Sequence, residues 1–181
     1  MFSERCFQSM RRPLGPVYFL LITLIASCAA PPPTDGTLPF TTLEQKDDAG
    51  YAGQQQYNAL EPGMMVFADA AAMGEGGVWF SEAARQAAAQ VDWRTHFVIA
   101  VFQGWQVGEG YGITVEAVAL NGDTLTISAA TNFPEGTAPG GRVTSPYHLI
   151  AVRRPPIDPF RLKFALSLNG QSPVRIITPI P

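Results

Sequence analysis

Few side chains in this sequence can carry chemistry. Two histidines, His96 and His148, and two cysteines, Cys6 and Cys28, are spread over 181 residues. A structural zinc site takes four closely spaced nitrogen or sulfur ligands, and a catalytic one takes three, commonly histidines with a carboxylate. No histidine pair at helical spacing and no cysteine cluster meets that need, so no metal site and no cofactor are expected. Ser145 stands three residues before His148, inside Thr144-Ser-Pro-Tyr-His148. A serine nucleophile needs a histidine that reaches its hydroxyl and an acid that orients the ring. Side chains alternate between faces along a strand, which makes these neighbours poor partners. The expectation for His148 is a half-buried strand residue making one hydrogen bond, and no catalytic residue is assigned. Gly104, Gly108, Gly110 and Gly112 cluster around Trp105 and Tyr111. Glycine at that density favours positive φ angles or close backbone approach. Because Gly108-Glu-Gly-Tyr-Gly112 precedes a predicted strand and offers no lysine, it lacks the setting of a phosphate loop. Trp105 and Tyr111 have two readings, exposed anchors of a protein interface or core packing.

Cys28 stands apart from this group. Arg5, Arg11 and Arg12 precede an apolar run of ten residues, Val17 to Ala26. That is half of the roughly twenty residues a membrane-spanning helix needs, and the layout is that of a secretory signal. Ile25-Ala-Ser-Cys28 resembles the lipobox of bacterial lipoproteins, in which cleavage before the cysteine leaves a thiol that carries diacylglycerol. The resemblance implies a signal peptide over 1–27, lipidation of Cys28 with acyl chains such as palmitate, and attachment to a membrane through lipid. The domain then faces the periplasm or the exterior of the cell envelope. Ala29 rather than aspartate after the cysteine implies the outer membrane if the cell is Gram-negative. Cys28 is the only cysteine left after cleavage, so no internal disulfide is expected and stability must come from packing. Loss of 1–27 leaves nine basic against fourteen acidic residues, a formal charge of −5. With no basic cluster in the body of the chain, nucleic acid is a poor candidate partner.

The elements that would position the corner follow from hydrophobic patterning. Apolar residues make up 46% of the chain and charged residues 15%, enough for one packed core. Residues 28–40 include Pro31-Pro-Pro33 and are expected to form a proline-rich tether; residues 41–181 form a single β-rich domain with its core at 91–153. Met64–Phe67 is a plausible first strand, 68–77 a loop, and Ser81–Gln90 a short helix capped by Ser81. Phe97–Phe102 is apolar without alternation, so a strand there must be covered on both faces. Tyr111–Ala117 and Leu125–Ala129 alternate on either side of Asn121-Gly122, a hairpin signal. Their inward sets agree either with a bulge near Ala117 or with a three-residue loop through Asp123. Tyr147–Arg153, an alternating run from Phe160 to Leu168, and Val174–Ile177 complete the strands. The expected fold is mainly β (α+β), an antiparallel sandwich or partly open barrel with one short helix packed on it.

Val91-Asp-Trp93, the run 97–102, Gly104, Gly108-Glu-Gly-Tyr-Gly-Ile113, the hairpin, Pro134 and Thr144-Ser-Pro-Tyr-His-Leu-Ile-Ala-Val152 resemble, in that order, the C-terminal domain of the protease complex subunit PrcB family. The family's usual Thr-Gly-Gly-Tyr reads Gly108-Glu109-Gly110-Tyr111 here, so a contact through that threonine does not carry over. The resemblance implies a non-catalytic accessory role outside the cytoplasm, assembling or stabilising a secreted protease or binding another envelope protein. Its interaction residues would be Gly104, Trp105, Gly108, Gly110, Tyr111, Ser145, Pro146, Tyr147 and His148. Two alternatives are a protease inhibitor of β-sandwich type and an envelope lipoprotein that binds a small molecule or glycan.

Overall fold

Six apolar residues in a row cannot divide themselves between a core and water, so the strand they form needs cover on both sides. The computed structural model, which describes residues 36–47, 60–135, 143–172 and 175–177, shows how that cover is made. Strands β2 (Phe40–Lys46), β3 (Gly63–Phe67), β4 (His96–Phe102) and β9 (Tyr147–Arg153) form an antiparallel sheet of order β2-β9-β4-β3. A second sheet of order β1-β6-β7-β10-β11 contains Gly36–Leu38, Gly112–Asn121, Thr124–Asn132, Lys163–Leu168 and Arg175–Ile177. Ile99, Val101 and Ile150 of the first sheet pack against Val115, Ile127 and Leu166 of the second. On its other face, Val98, Ala100 and Phe102 meet helices α1 (Ala70–Gly76) and α2 (Glu82–Ala89) through Met73, Ala84 and Ala88, with Phe80 from the segment between the helices. The first sheet is therefore the middle layer of three, and its central strands β4 and β9 are buried on both faces.

The domain is mostly strand with two short helices, and its sheets do not close into a barrel, in line with the expected α+β sandwich. Several details differ from the pattern. Strand β7 runs parallel to β10, so the second sheet is mixed and not purely antiparallel. Strand β10 begins at Lys163 and lies between β7 and β11, away from the sheet edge; Phe160 stays outside it in an exposed turn. Residues 68–77, expected as a loop, contain α1, because the Asp69 carboxylate accepts a hydrogen bond from Ala72 N at 2.8 Å and alanines favour the turn. Among the described residues two strands, β1 and β2, precede β3. Inside the stretch expected as a tether, β1 pairs with β6 from Gly36 onward, and Pro39 sits where the chain passes from one sheet to the other. A residue without an N–H costs least at such a crossing. The rest of the tether, the signal segment and Cys28 lie outside the described residues.

The hairpin combines parts of both anticipated geometries. Asn121 pairs with Thr124, so the two-residue turn is Gly122-Asp123, and positive φ occurs only at Gly122, as in a turn of type II′. A bulge between Val115 and Ala117 restores the inward set, with Val118 opposite Ile127 and Val115 opposite Ala129.

Helix α2 is fastened at its first turn. Ser81 Oγ accepts from Ala84 N at 3.0 Å and donates to the Glu44 carboxylate at 2.6 Å, and the Tyr147 hydroxyl donates to the same carboxylate. One capping residue thus ties the helix layer to β2 and β9. Ser81→Ala should lower the unfolding free energy by about 1–2 kcal/mol in urea denaturation. A double-mutant cycle with Glu44→Gln should show a coupling of about 0.5 kcal/mol or more.

Candidate functional site

The glycine corner and the Ser145–His148 segment meet at one end of the sandwich. Strands β5 (Gln106–Val107) and β8 (Val143–Thr144) pair antiparallel, with Gln106 opposite Thr144. Thr144 Oγ1 donates to Gly108 O at 2.9 Å, and Gln103 N donates to Pro146 O at 3.0 Å. Gly104 permits the turn out of β4. Its φ is +86°, and a Cβ built there would stand 2.5 Å from Leu60 O, so the chain at Leu60-Glu61 lies directly against it. Gly110, with φ +88°, lets its carbonyl accept from Asn132 Nδ2 at 2.9 Å beside Pro134.

Burial divides the expected interaction residues into two groups. Gly104, Gly108, Ser145, Pro146, Tyr147 and His148 are buried, so they form the frame behind the corner and present no contact surface. Tyr147 and His148 point into opposite layers. Tyr147 packs edge-on against Phe80 at 5.1 Å, and burial together with the Glu44 carboxylate pushes its phenol well above the usual range. His148 faces the second sheet, where Val115 N donates to Nδ1 at 2.8 Å beside the bulge and Nε2 meets Thr42 Oγ1 at 2.9 Å. A backbone N–H can only donate, so Nδ1 carries the lone pair and Nε2 the proton. The buried ring makes two hydrogen bonds, not the single one expected of a half-buried residue, and neither goes to Ser145. Burial pulls its pKa below the ordinary histidine value of 6.5.

Trp105 is 40% exposed, Gly110 is exposed, and Tyr111 is half-buried with its ring edge-on to Phe133 at 6.0 Å. Around them stand apolar side chains that sequence patterning did not select: Leu60 (73% exposed), Val107 (71%) and Phe133 (61%). None of the three belongs to an alternating or helical run of apolar residues, so patterning gives no signal for them. Gln103 was also missed, although a polar residue ending an unbroken apolar run is an anomaly visible in the sequence. It is buried, and its Nε2 donates to Asn132 O at 3.1 Å, joining the two sheets. Among the described residues no three His, Cys, Asp or Glu side chains converge to hold a metal ion, and no helix is long and apolar enough to cross a membrane.

Two sheets with a helical third layer, carrying an apolar corner on a buried hydrogen-bonded frame, define a sandwich domain with a preformed surface loop. Residues 97–153 of it, about a third of the chain, match the family model described as PrcB C-terminal, in agreement with the resemblance drawn from the sequence. The match runs from the first residues of β4 to the end of β9, and so holds the central strand pair, the corner and the hairpin together. No curated protein and no solved structure matches the chain.

The frame makes stability depend on pH. The unfolded chain binds a proton at His148 more readily than the folded one, so this contribution is intact above about pH 6.5 and is lost as pH falls through that value toward the depressed folded pKa. The melting temperature should therefore drop between about pH 7 and about pH 5.5, and His148→Gln should remove most of that drop. Gly104→Ala should destabilise by at least about 2 kcal/mol through the left-handed φ and the contact with Leu60 O, as read by thermal unfolding.

Proposed function

We propose that this protein is a lipid-anchored, non-catalytic interaction module of the cell envelope that binds another exported protein through the corner carrying Trp105. One observation carries the proposal. Trp105, Val107 and Phe133 are held exposed on a corner whose backbone is fixed by buried hydrogen bonds, although a monomer gains nothing by exposing them. Aromatic and apolar residues held rigid at the surface lose little entropy on binding, which is how they come to dominate interface energetics. The match of 97–153 to the PrcB C-terminal family supports a secreted protease as the kind of partner to look for first. The motif at Ile25–Cys28 supports attachment through a lipid on Cys28, with the acyl chains in a membrane and the domain in water. A non-catalytic role agrees with the two ring nitrogens of His148 being committed to Val115 and Thr42.

Two measurements on the native, tagged full-length chain test the proposal. Detergent extraction followed by affinity purification and mass spectrometry should recover a stoichiometric exported partner, and Trp105→Ser with Val107→Ser should reduce its yield about tenfold or more, in line with the loss of one or two hot-spot contacts. Cys28→Ser should move the protein from the membrane fraction to the soluble one or leave it uncleaved. Repeated recovery of no partner would remove the interaction role, and a membrane-bound, normally processed Cys28→Ser protein would remove the anchor.

A further inference from the structure

The chain enters the sandwich at the end opposite the corner. Gly36 of β1 pairs with Leu120 beside the hairpin turn, and Lys163 lies next to Thr124 in the same sheet. The ring of Phe97, near the start of β4, meets that of Phe164 at 5.4 Å, so the two sheets end together here. The corner lies at the other end, where Gly112 pairs with Asn132. Eight residues of chain lead from Cys28 to Gly36, a reach of at most about 29 Å. From Leu120 back to Gly112, strand β6 covers about 27 Å. A lipid on Cys28 therefore keeps the entry end close to the membrane, and turning the corner toward the bilayer would stretch the tether almost fully.

The side chains at the entry end suit a bilayer surface. Phe160 is 82% exposed, the most exposed large apolar side chain among the described residues. A turn holds it outward: Phe160 N donates to Asp158 Oδ1 at 3.0 Å, and Arg161 N donates to Asp158 O at 2.9 Å. Arg161, and Arg153 at the end of β9, are exposed and have no ion-pair partner among the described residues. Two carboxylates at this end are already paired, Asp92 with Arg94 at 3.3 Å and Asp123 with Lys163 at 3.0 Å. Around the corner stand the exposed carboxylates of Glu61, Glu109 and Glu135 instead. An aromatic ring sits well at headgroup level, and a guanidinium takes two phosphate oxygens at once. An anionic surface thus attracts the entry end and repels the corner.

We infer that the entry end of the sandwich rests on an anionic phospholipid surface, with the Phe160 ring at headgroup level and the guanidinium groups of Arg153 and Arg161 on lipid phosphates, so that the corner points away from the membrane. The inference rests on the lipid anchor proposed above and adds an orientation to it. Two arginines and one ring are too few to recruit a free protein, since each basic residue near an anionic surface is worth about fivefold in binding. Held on a short tether, the same end meets the lipid at an effective concentration on the order of millimolar, and weak contacts are then enough to fix an orientation.

The test reconstitutes the lipidated chain into vesicles and checks its attachment by flotation. Phe160→Cys and, separately, Val107→Cys carry an environment-sensitive nitrobenzoxadiazole label, the thiol of Cys28 being blocked by its lipid. In vesicles of phosphatidylcholine and phosphatidylglycerol in equal parts, the label at 160 should brighten, shift to the blue and be quenched by spin-labelled lipid, while the label at 107 should do none of these. The contact equilibrium read from the quenching should fall about tenfold or more in pure phosphatidylcholine, and likewise when Arg153→Gln and Arg161→Gln are combined. Both arginines are exposed, so an unchanged melting temperature is expected of that variant and shows its fold intact. A floated chain whose label at 160 does not respond, equal quenching at 160 and 107, or an equal response without phosphatidylglycerol would overturn the inference and leave the anchor standing. A chain that fails to float would overturn the anchor, and the orientation with it.

Discussion

The pairing of β4 with β9 is the constraint on which this domain depends. Both strands bury every residue from Phe97 to Phe102 and from Tyr147 to Val152, so neither face of the pair can meet water. One face therefore requires a second sheet and the other requires helices, and the chain supplies both. The two cores differ in kind. Between the sheets, Ile, Val and Leu interdigitate, while on the helix side a cluster of Phe67, Phe80, Phe102 and Tyr147 fills the wider space left by alanines of α2. With no disulfide among the described residues, this double burial is the main source of stability.

A middle sheet of this kind has a difficulty at its ends, where strands stop and polar backbone groups must still be satisfied. At the end nearest the corner the solution is a set of buried or half-buried polar side chains that reach between strands or layers. His148 takes the Val115 N–H beside the bulge, Gln103 gives its amide to Asn132, Thr144 bonds Gly108, and Glu44 collects the hydroxyls of Ser81 and Tyr147. Each of these links an element to a neighbouring strand or to another layer, so the corner inherits rigidity from the core beneath it. The exposed side chains of Trp105, Val107 and Phe133 then sit on a surface already ordered before any partner arrives, and the ordering cost of binding falls accordingly. The frame and the contact surface are separate sets of residues. Substitutions in the first act through stability, and under the proposed interaction role substitutions in the second act through recognition.

The central layer was legible in the sequence because an unbroken apolar run has only one physical meaning in a strand, and the helix at Ser81 because its cap, alanines and acidic first turn all agree. The grouping of Gly104–Tyr111 with Ser145–His148 came from the family resemblance, and the pairing of β5 with β8 brings them together. Less legible were features set by tertiary partners. Strands β1 and β2 carry little alternation, since β1 is a short edge strand and β2 has a bulge between Thr42 and Glu44. The parallel register of β10 against β7 is a matter of topology that alternation cannot encode. Helix α1 was hidden by Gly74 and Gly76, which lower helical propensity but cost little where a short helix is held by Asp69 and by Met73 in the core. At the site, the glycines and Trp105 announced themselves by type. Gln103 did so only by interrupting a pattern, and Leu60 and Phe133 became significant only once folding brought them to the corner.

The central claim is that the corner around Trp105, and not some other apolar spot on the surface, is where this domain meets its partner. Site-specific photo-crosslinking in the native cell addresses it most directly, with a photoreactive amino acid placed at Trp105, Val107 or Phe133 and, for comparison, at the exposed Phe160 of the turn before β10. The account predicts one crosslinked species, an exported protein, shared by the three corner positions and absent from Phe160. Crosslinks of equal strength from Phe160, or none from any corner position while another surface yields them, would contradict it.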